Sequence, residues 1–220
     1  MISLIFLAGG SGSRMGSPLP KQYLPLRGKP IALHSFELFT RIPEIGEIIV
    51  VCEEEHQRFF SHPVLFAAAG CRRQDSVYSG LLQCSQEIVF IHDAARPFFD
   101  PKTVPLLLRA VQTTGAAALA SPAVNTIKQC APNHIVEKTL ERSTLWEMQT
   151  PQAIRRDLLL EAYAHAHLHH FVATDDLSLI EAIGLPTQIV PSSPRNFKIT
   201  TPFDLAVAET LLQDTQCAIN

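Results

Sequence analysis

Short apolar runs recur along the chain roughly every 20 to 30 residues, and stretches of helical periodicity fill the intervals. Residues 2–7 (ISLIFL), 47–51 (EIIVV), 64–69 (VLFAAA) and 88–92 (IVFIH) are continuous enough to be strands buried on both faces. Residues 116–120 form a fifth, small-residue strand that stops at Pro122, and 187–190 and 196–201 read as late strands. Helical spacing covers 30–39, the segment after Gly70 to about Cys84, and the segment from Asp100-Pro101 to about Val111. It returns over 155–165 and from Asp175-Asp176 to Ile183, and Thr201-Pro202-x-Asp204 looks like the cap of a final helix. The triplet 53–55 (EEE) suits the acidic first turn of a helix. Strand and helix alternating in this way predict an α/β fold: one Rossmann-like domain over 1–220, with a mostly parallel sheet flanked by helices. Residues 125–149 break the rhythm and alternate polar with apolar, which predicts a protruding β-hairpin arm.

Composition narrows the function classes. With 46% hydrophobic residues in 220, the chain can bury a full core. A net charge of −3 argues against a nucleic-acid surface or an anionic membrane partner. No apolar run reaches membrane-spanning length, and no basic n-region precedes the first strand, so a cytoplasmic location without a presequence is expected. Five cysteines, an odd number without a C-x-x-C pair, fit reduced and mostly buried thiols. The histidines 165, 167, 169 and 170 read as a solvated helix end.

The candidate chemistry gathers where strands end. The first strand runs into Ala8-Gly9-Gly10-Ser11-Gly12-Ser13-Arg14-Met15-Gly16, followed by Pro20-Lys21-Gln22-Tyr23-Leu24. Glycine turns let backbone N–H groups approach phosphate, and Arg14 and Lys21 add two strong cations. The spacing matches neither the dinucleotide fingerprint nor a P-loop. Gly70 to Ser76 follows the third strand, and Asp93 and Arg96 follow the fourth, all at the edge where open parallel sheets bind ligands. Asp93 is the natural Mg²⁺ ligand, since a phosphate-bridging hard cation takes one or two carboxylates. A structural Asp93–Arg96 pair is the alternative.

Taken in order, LAGGSGSRMG, PKQYL, GCRRQDSV, HDAARP, RSTLWEMQTPQ, ATDD and NFKITTPFDL closely resemble the 2-C-methyl-D-erythritol 4-phosphate cytidylyltransferase family, from Leu4 to about Glu209. The resemblance implies transfer of CMP from CTP to methylerythritol phosphate, with Mg²⁺ and release of pyrophosphate. It places Ala8, Gly9, Gly10, Gly12, Gly70, Cys71 and Ser76 at the cytidine and triphosphate. Arg14 and Lys21 fall at the α-phosphate, with Asp93 as the metal ligand and Arg96 in support. Thr126, Arg142 and Lys198 fall at the methylerythritol phosphate. It further implies a homodimer with interlocked arms, Arg142 reaching the neighbour's site. Gly9-Gly10, Cys71 and Arg195 depart from the residues usual in the family. A ribitol 5-phosphate cytidylyltransferase shares the loop, but Ala95 and Leu145-Trp146 favour the methylerythritol enzyme. A non-catalytic nucleotide sensor would not need Arg14, Lys21, Asp93 and Lys198 together.

Overall fold

The structure is a computed structural model that describes residues 1–10 and 15–217, without the side chains of 214–217. In chain order the elements are β1 (Ile2–Leu7), β2 (Pro25–Leu26), β3 (Lys29–Pro30), α1 (Ile31–Phe39), β4 (Ile45–Val51), β5 (Leu65–Ala67), α2 (Arg73–Leu81) and β6 (Ile88–Asp93). There follow α3 (Val104–Thr114), β7 (Ala116–Pro122), β8 (Lys128–Cys130), β9 (Val136–Thr139), β10 (Trp146–Arg155), α4 (Arg156–His169), α5 (Asp176–Ala182), β11 (Gln188–Pro191) and α6 (Pro202–Cys217). A seven-stranded sheet in the order β11-β7-β10-β6-β1-β4-β5 forms the centre.

Strand periodicity explains the two layers of helices. Along β1, Leu4 and Phe6 face one core and Ile5 faces the other. The first core takes Phe36 and Phe39 of α1 and Leu107 and Val111 of α3. The second takes Val77 and Leu81 of α2, Leu159 and Tyr163 of α4, and Leu179 and Ile180 of α5. Helix ends follow their local chemistry. Gly115 ends α3 with φ of 81°, a conformation that costs glycine little. Asp175 accepts a hydrogen bond from Ser178 N in a capping box at α5, and Asp204 accepts from the backbone N–H of Thr200 and Thr201 at the start of α6.

Two elements differ from the sequence expectation. β10 is a ten-residue strand within the sheet, antiparallel to both β6 and β7, where the pattern suggested only the end of an arm and the resumption of the core. Its polar sequence and Pro151 hide it. The register shifts between Met148 and Gln152, so the proline sits where the ladder with β7 is already interrupted. The arm proper is the β8–β9 hairpin, all of whose strand residues are exposed. Residues 196–201 are not a strand. They form a loop that crosses Arg96, which donates to the Asn196 carbonyl, while Ile199 N donates to Ala95 O. Among the described cysteines, Cys52 and Cys84 are buried whereas Cys71 and Cys130 are exposed.

The first core is rich in aromatic contacts. Phe39 is fully buried, stacks on Phe99 with ring centroids 4.4 Å apart, and meets His92 edge-on at 4.9 Å. Phe39→Ala should therefore lower the unfolding free energy by about 3–5 kcal/mol, the range for deleting a buried ring. Urea denaturation of the two proteins measures it, and a loss under about 1 kcal/mol would mean that the neighbouring rings close the gap.

Candidate active site

β1, β6 and the loop after β5 deliver their carboxyl ends to one edge of the sheet, and two cavities open there. The first, about 410 Å³, is walled by Gly9, Gly10 and Lys21 on one side and by Gly70, Cys71 and Ser76 on the other. The second, about 450 Å³, is bounded by Arg96, Thr150, Thr174, Asp175 and Glu181. Arg73, Asp93 and Lys198 line both. Two glycines have no room for a side chain. A Cβ on Gly9 would lie 2.4 Å from Ala69 Cβ, and one on Gly70 would lie 2.4 Å from Asp75 Cβ. Gly70 N donates to Ser76 Oγ at 2.9 Å, which ties the loop back to the first turns of α2.

Asp93 is the electrostatic centre. It is the last residue of β6 and almost fully buried. Arg73 Nε donates to its Oδ1 at 3.1 Å, Lys198 Nζ donates to its Oδ2 at 2.8 Å, and Arg96 Nε stands 3.9 Å away. Burial alone would raise the carboxyl pKa. The three cations outweigh it and hold Asp93 well below the usual carboxylate range. The Arg96 pair foreseen as the structural alternative is thus the longest of the three. Arg73 also reaches Asp176 Oδ2 at 2.8 Å, at the first turn of α5. Burial raises the pKa of Asp176, against the pull of Arg73.

Of the residues singled out in the sequence, Gly9, Gly10, Lys21, Gly70, Cys71, Ser76, Asp93 and Lys198 meet in the first cavity, with Ala8 buried beneath it. Arg96 faces the second. Gly12 and Arg14 lie outside the described residues. Thr126 and Arg142 line neither cavity. Both are exposed at the arm, and Arg142 Nη1 donates to the carbonyl of Val124 at 3.0 Å.

Other site residues carried no role in the sequence reading. Arg73 sits beside Arg72, and nothing in the pattern tells the inward guanidinium from the one that pairs with Asp75 at the surface. His92 is another. Its Nε2 faces the Arg96 carbonyl, an acceptor only, so Nε2 carries the proton and Nδ1 accepts from Thr150 Oγ1. Thr150 Oγ1 in turn accepts from Asp93 N. This chain fixes the turn that presents Asp93 and Arg96.

The donor set suits a magnesium ion. Asp93 stays ionised despite burial, faces a cavity large enough for a nucleotide, and keeps a second lone-pair site on each oxygen beyond those used by Arg73 and Lys198. Among the described residues no cluster of three His, Cys, Asp or Glu competes for a cation.

The family model for 2-C-methyl-D-erythritol 4-phosphate cytidylyltransferase (IspD) matches residues 2–214. The chain belongs to that family. Its reaction is cytidylyl transfer from CTP to 2-C-methyl-D-erythritol 4-phosphate in isoprenoid-precursor synthesis, and the ribitol alternative is not favoured. The cytidylyltransferase of Chlamydia pneumoniae is 46% identical over 96% of this chain and 98% of that one. The chloroplastic cytidylyltransferase of Oryza sativa subsp. japonica is 42% identical over 97% of this chain and 75% of its own length. Among solved structures, the Francisella tularensis cytidylyltransferase superposes with a TM-score of 0.83 at 32% identity, covering 95% and 98% of the two chains. The 4-diphosphocytidyl-2C-methyl-D-erythritol synthase of Anaerococcus prevotii DSM 20548 gives 0.86 at 26%, covering 96% of each. No helix among the described residues of this cytidylyltransferase is long and apolar enough to cross a membrane.

Burial pushes the His92 pKa down from 6.5 to about 3, with the Asp93 charge opposing. The unfolded chain therefore binds a proton that the native state refuses between those values. The stability due to neutral His92 is complete above about pH 6.5 and is lost as pH falls toward 3. Unfolding measured from pH 7 to 4 should show stability falling on acidification, less steeply in His92→Asn. Equal slopes in the two proteins would mean that His92 does not titrate with unfolding.

Proposed function

We propose that CTP occupies the cavity walled by the glycine loop and Gly70–Ser76, that methylerythritol phosphate enters the second cavity, and that the α-phosphorus sits where the two meet. The observation that carries this reading is that Asp93, Arg73 and Lys198 line both cavities, so cations and a carboxylate converge at their junction. An oxygen of the acceptor's phosphate attacks the α-phosphorus. The bond from that phosphorus to the oxygen bridging to the β-phosphate breaks, and pyrophosphate leaves with the electron pair. The attacking phosphate is already ionised near neutral pH, so no general base is required. His92 would not serve as one, since both its ring nitrogens are engaged and it is buried.

The residues then act by position and charge. Lys21, with Arg14 beyond the described segment, neutralises the α-phosphate, and the backbone of Gly9 and Gly10 faces the triphosphate. Lys198 and Arg96 hold the acceptor's phosphate. Asp93 would hold Mg²⁺, which when bound would offset negative charge on the triphosphate and on the departing pyrophosphate. Because Lys21 is mostly buried in the cavity wall, Lys21→Met should cut kcat by about 10²-fold, the scale for one preorganised charge-stabilising group, with less effect on KM. Steady-state pyrophosphate release measures it, and a wild-type kcat would sink the assignment.

The arm supports a homodimer. β8 and β9 bury none of their own residues, and Val124, Ile127, Ile135 and Val136 stand exposed around them. An isolated two-stranded hairpin is marginal in water, and a second copy is the natural surface for it. In that arrangement Arg142 and Thr126, which line neither cavity of their own chain, complete the acceptor site of the partner. Arg142→Met and Lys21→Met homodimers should each be nearly inactive, whereas a mixed dimer carries both lesions in one site and none in the other. Mixing the variants should restore up to about half the activity per mixed dimer, by two-fold symmetry. No recovery despite proven subunit exchange would confine Arg142 to its own chain.

A further inference from the structure

Gln22 follows Lys21 in a single 3₁₀ turn and is almost completely buried, although it borders the first cavity. Its side-chain nitrogen donates to the carbonyl of Ala8 at 2.6 Å and to that of Gly10 at 2.9 Å. Tyr23 Oη, from the next residue, donates to the same Ala8 carbonyl at 2.9 Å. Carbonyl oxygens only accept, so the nitrogen end of the amide must face them, and both of its N–H groups are used. Three donated hydrogen bonds thus converge on two carbonyls of the glycine loop. Tyr23 is itself held by ring contacts, stacked against His56 at 4.3 Å and against Phe59 at 4.8 Å.

A glycine-rich loop needs such restraint. Gly9 and Gly10 tolerate many backbone conformations, and a flipped peptide would point a carbonyl at the ligand. In a trans peptide the C=O and the following N–H point in opposite directions, so pinning the Ala8 carbonyl also fixes the direction of the Gly9 N–H. Phosphate oxygens are attracted by N–H groups and repelled by carbonyls, so the sign of each peptide dipole at the loop decides whether it helps or opposes a polyphosphate.

We propose that Gln22, supported by Tyr23, is a positioning residue for the triphosphate: it holds the Ala8 and Gly10 carbonyls back so that the loop presents N–H groups to the nucleotide. This rests on the placement of CTP in the first cavity. Gln22 acts through the loop and donates nothing to the substrate itself, since its two N–H groups are committed. The effect is therefore specific to ligands that carry phosphates.

The test compares binding of CTP and of cytidine, by calorimetry, to the wild type, Gln22→Met, Tyr23→Phe and Lys21→Met. Methionine keeps the length of glutamine but cannot donate. Gln22→Met should weaken CTP binding by about tenfold, the scale of one to two lost net hydrogen bonds, while cytidine binding stays within about twofold. Tyr23→Phe should move CTP in the same direction by a smaller factor, because Ala8 keeps its bond from Gln22. Thermal unfolding of each variant gives its folded fraction, to which the binding is normalised. Equal weakening of CTP and cytidine, or unchanged CTP binding, in Gln22→Met would overturn the proposal. If Lys21→Met loses kcat as expected and Gln22→Met keeps the preference for CTP over cytidine, the cavity assignment stands and the role of Gln22 falls. If Lys21→Met also keeps wild-type kcat, the cavity assignment falls with it.

Discussion

The site depends on a single buried carboxylate kept ionised by its neighbours. Asp93 lies at the end of β6, where burial alone would raise its pKa, yet Arg73, Lys198 and Arg96 arrive from α2, from the loop before α6 and from the turn just beyond β6. Each cation would be costly there without the carboxylate, and the carboxylate would be costly without them. The cluster therefore holds three separate parts of the chain in place. It also keeps positive charge concentrated at the edge of the sheet, where a polyanion can take over the role of counter-ion without new groups having to be gathered. Preorganised charge of this kind suits phosphoryl transfer, which depends on placement and neutralisation more than on covalent help from the protein.

Much of the architecture was legible because a parallel sheet must be apolar on both faces. β1, β4, β6 and the small-residue β7 announce themselves as continuous apolar runs, and the helices between them by period. β10 was not legible, since it carries Gln149, Thr150, Pro151 and Gln152 into the middle of the sheet. Those polar side chains are buried because they have partners: Gln149 pairs with Ser121 and Asn196, Thr150 with His92, and Gln152 with Asp175 and the start of α5. Pattern reading counts them as surface. Only the tertiary fold supplies the bonds that make their burial tolerable. The reverse error occurred at 196–201, where Phe197 and Ile199 alternate like a strand but serve to seat a loop against Phe98 and Leu26.

The candidate site was legible as far as residue chemistry allowed. Glycines, Asp93, Lys21 and Lys198 stand in short motifs whose residue types already suggest phosphate and metal, and the fold brings them to one cavity. Arg73, Gln22 and His92 lie inside the same motifs, but their contribution depends on where they point. Arg72 is the extended N-cap residue of α2 and Arg73 the first residue of the helix itself, which separates a surface ion pair from the bridge between Asp93 and Asp176. Gln22 is informative only once its two carbonyl partners are known.

β10 also sets how the chain can vary in length. It begins at Trp146, at the root of the arm, and within four residues reaches Thr150, whose hydroxyl meets both His92 and the backbone of Asp93. One residue gained or lost between Trp146 and Thr150 would displace that hydroxyl by about 3.3 Å along the strand, out of hydrogen-bonding reach of His92 and the Asp93 backbone. The turn between β8 and β9, around Pro132 to His134, is exposed, and among the described residues its hydrogen bonds stay within the arm. Insertions and deletions among sequences of this kind should therefore collect at the tip of the arm and be purged from its base, although the two lie in one continuous excursion of the chain.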